Sequence, residues 1–115
     1  MYQIVINERQ YELKLYSNDT AEDVKKMLPL NLSMQPYSNI EYYGELNELP
    51  KYDNEYASTM AKCGTLVYCL EYRALVLVCK NHKDIFREIP VGVIQGDVSW
   101  LSEYIGKVKV EIREV

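Results

Sequence analysis

The sequence has little of what catalytic and metal-binding sites usually require. It contains one histidine and three cysteines with no Cys-x-x-Cys pair, so a soft metal would lack donors, and we predict no metal ion and no cofactor. There is no Gly-x-Ser-x-Gly motif, and the five glycines are scattered rather than grouped into a phosphate-binding loop. The histidine, His82, lies in the polar stretch from Asn81 to Asp84, which favours an exposed loop residue. These absences argue against enzymes that use a side-chain nucleophile, a metal ion or a bound nucleotide.

The chain also lacks an excess of positive charge and any long apolar run. Its 13 basic residues are interspersed among 17 acidic ones, for a formal net charge of -4, which leaves no cationic patch for nucleic acid or an anionic membrane. No stretch approaches the roughly 20 apolar residues that span a bilayer. The N-terminus begins directly with a strand pattern rather than an export signal. We therefore expect a cytoplasmic protein with no nucleic-acid and no membrane partner, whose oligomeric state the sequence leaves open.

The cysteines are expected to be reduced. Cys69 and Cys79 lie inside apolar strand patterns, where a thiol behaves as a small hydrophobic group. The two could also face each other across a hairpin, so a disulfide under oxidising conditions stays open.

What the chain does contain is enough apolar material for one core and an unusual number of tyrosines. Its 115 residues, 48% hydrophobic, predict a single domain over residues 1–115. Eleven tyrosines stand against one Phe and one Trp. Several crowd a turn-rich middle segment that also carries many acids, where they could line a groove or simply replace phenylalanine at half-buried sites. These residues are Tyr37, Tyr42, Tyr43, Tyr52 and Tyr56, with Glu41, Glu45, Glu48, Asp53 and Glu55, and for the acids we expect a solvated loop surface.

Hydrophobic periodicity predicts a mainly β chain with two short helices. The first helix is predicted to begin at Thr20 as N-cap and to stop at Pro29, and the second to begin at Asp97 with Val98, Leu101 and Ile105 on its apolar face. The clearest strand alternates charged and apolar residues from Lys107 to Arg113. The other predicted strands are a hairpin over 2–16, short strands at 30–34 and 40–46, a fully apolar hairpin at 66–70 and 74–79, and strands at 85–89 and 91–94.

Several segments together resemble the bacterial and archaeal cyclophilin-like fold proteins. In chain order they are Met27-Leu28-Pro29-Leu30, Tyr42-Tyr43-Gly44-Glu45-Leu46, Gly64-Thr65-Leu66-Val67-Tyr68, Ala74-Leu75-Val76-Leu77 and Val93-Ile94-Gln95-Gly96. The resemblance spans nearly the whole chain. It implies a small closed cyclophilin-like β-barrel with helices at its ends.

The resemblance suggests peptidyl-prolyl isomerisation, but the motif for that activity is missing. In cyclophilins catalysis rests on an arginine within a Phe-His-Arg motif, on the strand just after the first helix. The corresponding strand here, Leu30 to Met34, has no Arg, Phe or His, and Phe86-Arg87 comes later in the order and lacks the histidine.

We therefore expect a non-enzymatic domain that binds a small molecule or a peptide in a polar-aromatic groove. The resemblance places that groove at Tyr37, Tyr43 and Met60. The alternatives are a weak or divergent prolyl isomerase, another enzyme that uses the same groove, or a homo-oligomeric structural module.

Overall fold

Strands dominate the structure, a computed structural model that describes residues 1–115. There is one α-helix, α1 (Asp19–Lys26), and there are two short 3-10 helices, Asn54–Tyr56 and Ser99–Ser102. None of the helices is long and apolar enough to cross a membrane. The strands are β1 (Tyr2–Ile6), β2 (Arg9–Leu15), β3 (Leu30–Tyr37), β4 (Glu41–Glu45), β5 (Ser58–Ala61), β6 (Thr65–Cys69), β7 (Ala74–Val78), β8 (His82–Gln95) and β9 (Val108–Glu114).

Eight of these strands form a closed ring. They follow one another in the order β2-β1-β9-β3-β4-β7-β6-β8, and a further pairing between β2 and β8 closes the sheet. Every pairing is antiparallel. The ninth strand, β5, pairs only with the first half of β8 and lies outside the ring. The predicted mainly β fold with a closed sheet is thus confirmed.

The main core fills the ring, and a second, smaller core covers part of its outer face. On β9, Val108, Val110 and Ile112 are at most 2% exposed, as their alternation with charged residues predicts. Strands β6 and β7 are buried on both faces, which explains their unbroken apolar sequences. Their outward side chains join Ala61 in the second core, which we call the outer cluster: Ala61, Val67, Cys69, Val76 and Val78.

The first helix begins earlier than predicted. Its N-cap is Asn18, whose side-chain oxygen accepts a hydrogen bond from the backbone N–H of Ala21 at 2.8 Å. Asn is as good a cap as Thr, and the Asn18 amide also donates to the carbonyl of Pro90. Thr20 is instead a buried helical residue, and its hydroxyl donates to the carbonyl of Lys51.

The predicted second helix is shorter than expected and of a different type: the chain makes the 3-10 helix Ser99–Ser102. Leu101 is buried as expected, but Ile105 is 92% exposed. The hydroxyl of Tyr42, which reaches in from β4, donates to the carbonyls of Leu101 and Tyr104. The carbonyls of Trp100 and Leu101 accept from the N–H groups three residues further on, those of Glu103 and Tyr104, so the segment is a single 3-10 turn.

The segment after β7 also differs from the prediction, which had a polar loop and two strands. Residues His82–Gln95 form one 14-residue strand. Pro90 is accommodated because the pairing between β6 and β8 shifts register beside it, between Leu66 and Val67, and an irregular position of this kind tolerates the missing N–H.

The two strand cysteines do not face each other. The hairpin register pairs Cys69 with Ala74, while Cys79 lies beyond the end of β7. Cys69 belongs to the outer cluster and Cys79 to the main core, and both are free thiols.

Candidate functional site

A pocket of about 160 Å³ lies against the outer cluster, on the outer face of the ring of strands and away from the main core. Because side chains alternate along a strand, Tyr42 enters the main core while its neighbours Glu41 and Tyr43 point outward into this pocket. The pocket is lined by Tyr37, Glu41, Tyr43, Cys69, Tyr72, Val76 and Phe86. Larger depressions of about 330 Å³ lie elsewhere on the surface, but no group of aromatic rings lines them.

A row of three aromatic rings forms one wall of the pocket. Tyr43 stacks on Tyr72 with ring centroids 6.2 Å apart, and Tyr72 meets Phe86 edge to face at 4.6 Å. Tyr72 comes from the turn between β6 and β7, and Phe86 from the first half of β8. Such pairs stabilise one another by about 1 kcal/mol beyond their buried area, so the wall is formed before any ligand arrives.

The structure brings together two of the three predicted groove residues. Tyr37 and Tyr43 both line the pocket. Met60 does not: it pairs with Lys83 across the β5–β8 ladder and is 64% exposed. Opposed residues of an antiparallel pair point to the same side, so Met60 shares the outward direction of Lys83. Tyr72 and Phe86 take the place that the resemblance gave to Met60.

Behind Glu41 lies a group of polar side chains that we call the acid–histidine cluster: Glu41, His82, Asp84 and Glu88. The Nε2 atom of His82 is 3.3 Å from Oε2 of Glu41 and 3.6 Å from Oδ2 of Asp84. Glu41 is 7% exposed and Glu88 only 2%. The sequence had predicted an exposed His82 and a solvated Glu41, and both predictions are wrong.

The cluster arises because the first half of β8 leaves the ring. In the ring order β7 and β6 stand between β4 and β8. Glu41 pairs with Val78 at the end of β7, and His82 follows after a short turn, so the start of β8 lies 3.3 Å from Glu41 on the outer face. There the side chains of the even-numbered residues point toward the sheet and are buried or half-buried, while Ile85 is 83% exposed.

Hydrogen bonds orient two members of the cluster and leave others without partners. Nδ1 of His82 lies 2.8 Å from the carbonyl oxygen of Lys80, which can only accept, so Nδ1 carries the proton. Oδ1 of Asp84 accepts from the N–H of Phe86. Four buried atoms have no partner: Glu41 Oε2, His82 Nε2 and both carboxylate oxygens of Glu88.

Burial dominates the electrostatics of this region. It raises the pKa of Glu88 to about 8, with further contributions from the charges of Glu41 and Asp84. Burial and Asp84 also raise the pKa of Glu41, and His82 opposes that change. In the pocket wall, burial raises the pKa of the Cys69 thiol to about 11, so this cysteine is a poor nucleophile at neutral pH.

The sequence carried one signal for the cluster. His82, Asp84 and Glu88 occupy alternate positions together with Phe86, so a strand starting at His82 would place all four on one face. The apolar residues Ile85 and Ile89 favoured a shorter strand over 85–89, so the shared face of these four residues was not predicted.

Fold and pocket together define a small β protein with a closed sheet and its candidate site on the outer face. The chain belongs to the Cyclophilin-like family, whose family model matches residues 4–113. The fold is similar to the solution structure of a hypothetical protein from Archaeoglobus fulgidus, with a TM-score of 0.69 and 16% identity over 99% of this chain and 93% of that one. At this identity the likeness shows the fold alone. Among curated proteins no sequence matches this chain.

Proposed function

We propose that this domain binds a small ligand, or one side chain of an extended peptide, in the aromatic pocket without catalysing a reaction. The observation that carries the proposal is the row formed by Tyr43, Tyr72 and Phe86 beside one buried carboxylate. The volume of about 160 Å³ is close to that of an engineered apolar cavity, about 150 Å³, that holds benzene. The ligand would therefore insert one ring or one branched aliphatic group.

Glu41 supports a preference for a cationic amine. It is the only charged residue in the pocket wall, so an ammonium group at that end would meet a carboxylate. A cation over the faces of tyrosine or phenylalanine is also attracted by the rings. A ring-bearing or branched amine combines both contacts.

Two observations favour binding without catalysis. Arg87, the arginine next to Phe86, forms a 2.9 Å ion pair with Glu71 and is not part of the pocket wall. The one thiol in the wall, Cys69, is protonated at neutral pH because its pKa is about 11.

The test is an NMR titration of chelator-treated protein with benzylammonium and with neutral benzyl alcohol. We expect shifts at Tyr43, Tyr72 and Val76, and tighter binding of the amine. Glu41→Gln should remove the preference for the amine. The matched control, Glu45→Gln, alters an exposed acid on the same strand and should keep it.

The absence of shifts at about 10 mM, where a binding free energy would be only about -3 kcal/mol, would contradict the proposal. Ligand-induced shifts that stay the same in Tyr72→Ala would also contradict it. A prolyl-peptide assay covers the enzymatic alternative: we expect no acceleration, and an acceleration abolished by Tyr43→Ala would establish an isomerase instead.

A further inference from the structure

We propose that Glu41, His82 and Asp84 bind one divalent transition-metal ion, Zn²⁺ by preference, behind the aromatic pocket. This site goes beyond the proposed function, since it requires no organic ligand. It rests on the geometry of three potential ligand atoms, on the tautomer of His82, and on buried carboxylate oxygens that have no partner.

The ligand atoms are spaced as a zinc ion requires. Zn–N and Zn–O bonds of about 2.0–2.2 Å at a tetrahedral angle separate neighbouring ligand atoms by about 3.3–3.6 Å. His82 Nε2 lies 3.3 Å from Glu41 Oε2 and 3.6 Å from Asp84 Oδ2. All three atoms lie within 4.8 Å of one another. Only a small movement of the carboxylates would be needed to complete the set.

The tautomer of His82 directs a lone pair into the same space. Because Nδ1–H donates to the carbonyl of Lys80 at 2.8 Å, the neutral ring presents an unprotonated Nε2 to the oxygens of Glu41 and Asp84. Three electron-rich atoms that face one another are held together either by a proton on Nε2 or by a metal ion between them, and Nε2 and Oε2 of Glu41 form no hydrogen bond in this structure. A histidine whose second N–H is held by a backbone carbonyl is the usual arrangement of a metal-bound imidazole.

The unpartnered carboxylates are an independent observation. Glu88 is 2% exposed and neither of its oxygens accepts a hydrogen bond, and Oε2 of Glu41 has no partner either. Native proteins rarely leave buried polar atoms without a partner, because the lost hydration is not replaced. A divalent cation between Glu41, His82 and Asp84 would give Oε2 of Glu41 and Nε2 of His82 the partner that each lacks.

The donor set selects the class of metal. Ca²⁺ takes six to eight oxygens and Mg²⁺ keeps several waters in an octahedron, so a nitrogen with two carboxylates suits neither well. Three protein ligands of N and O type, with one position open, are typical of Zn²⁺. Co²⁺ accepts the same ligands and reports its geometry through visible absorption.

The experiment uses the tag-free full chain after treatment with a chelator, titrated with Zn²⁺ by calorimetry and with Co²⁺ by absorption at about pH 7.5, because metal ligands bind in their deprotonated form. We expect one ion per chain with a micromolar or lower dissociation constant. His82→Gln and Glu41→Gln should each weaken binding at least about tenfold, while Glu45→Gln should leave it unchanged. No organic ligand is present, so this test can fail while the ligand titration succeeds, and the reverse.

A second measurement needs no variant and so does not depend on one folding. Long-range ¹⁵N NMR of His82, the only histidine, should show Zn²⁺ shifting Nε2 while Nδ1 stays protonated. The proposal is overturned if Zn²⁺ leaves both nitrogens unchanged, if the tag-free protein binds no metal at about 100 μM, corresponding to about -5 kcal/mol, or if His82→Gln binds as tightly as the native chain.

Discussion

Replacing Glu88 by glutamine should change how the stability of the protein depends on pH. Glu88 is 2% exposed and its carboxylate oxygens have no hydrogen-bond partners. Burial, and then the charges of Glu41 and Asp84, raise its pKa from 4.5 to about 8. In the metal-free protein at neutral pH, the folded state therefore keeps a proton on Glu88 that the unfolded chain releases.

The direction and size of the effect follow from linkage. Between pH 4.5 and about 8 the folded state binds more protons than the unfolded state, so the free energy of unfolding falls as pH rises through that window. Below 4.5 Glu88 contributes no pH dependence, and above 8 its contribution is constant. The difference, 8 - 4.5, is about 3.5 pH units, and at about 1.4 kcal/mol per unit it sets an upper limit of about 5 kcal/mol. Since neighbouring groups relax, we expect about 2–3 kcal/mol.

The assay is urea unfolding of the native chain and Glu88→Gln, in chelator, from about pH 5 to about pH 9. The stability of the variant relative to the native chain should rise through this range and then level off. Glu45→Gln, which alters an exposed acid, should follow the native curve. Adding Zn²⁺ should flatten the native slope, because a nearby divalent cation favours the ionised acid.

A difference between the two proteins that stays constant with pH would refute the reasoning, because it would mean that Glu88 is ionised at the same pH in both states. If the stability of Glu88→Gln relative to the native chain instead rises toward acid pH, the reasoning is refuted more strongly. That result would require a partner that lowers the pKa of Glu88, and the structure provides none.

Three further predictions concern the fold. Tyr42→Phe removes the hydroxyl that donates to the carbonyl of Leu101 and should cost about 1 kcal/mol in thermal or urea unfolding; no loss would mean that water replaces the bond. Gly92→Ala would place a Cβ atom 2.6 Å from the carbonyl oxygen of Lys14, so the pairing that closes the ring must shift, and we expect a loss of at least about 2 kcal/mol. In a thiol titration Cys63, which is exposed, should react first, because Cys69 and Cys79 are buried and burial raises their pKa values to about 11 and about 12; rapid reaction of all three would contradict this.

The parts of the fold that were predictable are those whose burial can be inferred from a single strand. The alternation on β9 and the apolar sequences of β6 and β7 indicate one or two buried faces whichever strands lie beside them. The helix limits were not predictable in this way. Asn18 and Thr20 are both good caps, and the second segment is held by the hydroxyl of Tyr42, more than 50 residues away along the chain.

The candidate site was only half predictable for a related reason. Tyr37 and Tyr43 lie close together in the sequence, on either side of the turn that joins β3 and β4. Tyr72 and Phe86 join them only because the β6–β7 turn and the first half of β8 approach the outer face of the sheet. No local pattern reports that approach, and the contact between Glu41 and His82 depends on the pairing of Glu41 with Val78 at the end of β7.

The register of β8 buries Glu88 and the ring of Phe86 together. A shift of one residue would turn Ile85 toward the outer cluster and Glu88 toward solvent, since side chains alternate along a strand. It would also turn Lys83 and Arg87 inward and move Phe86, which packs against the outer cluster, toward solvent. The burial of Glu88 without a hydrogen-bond partner is therefore linked to the packing of Phe86. A buried acid without a partner is a departure from good packing of the kind expected where a site must be kept, and here it adjoins the residues spaced for a metal ion.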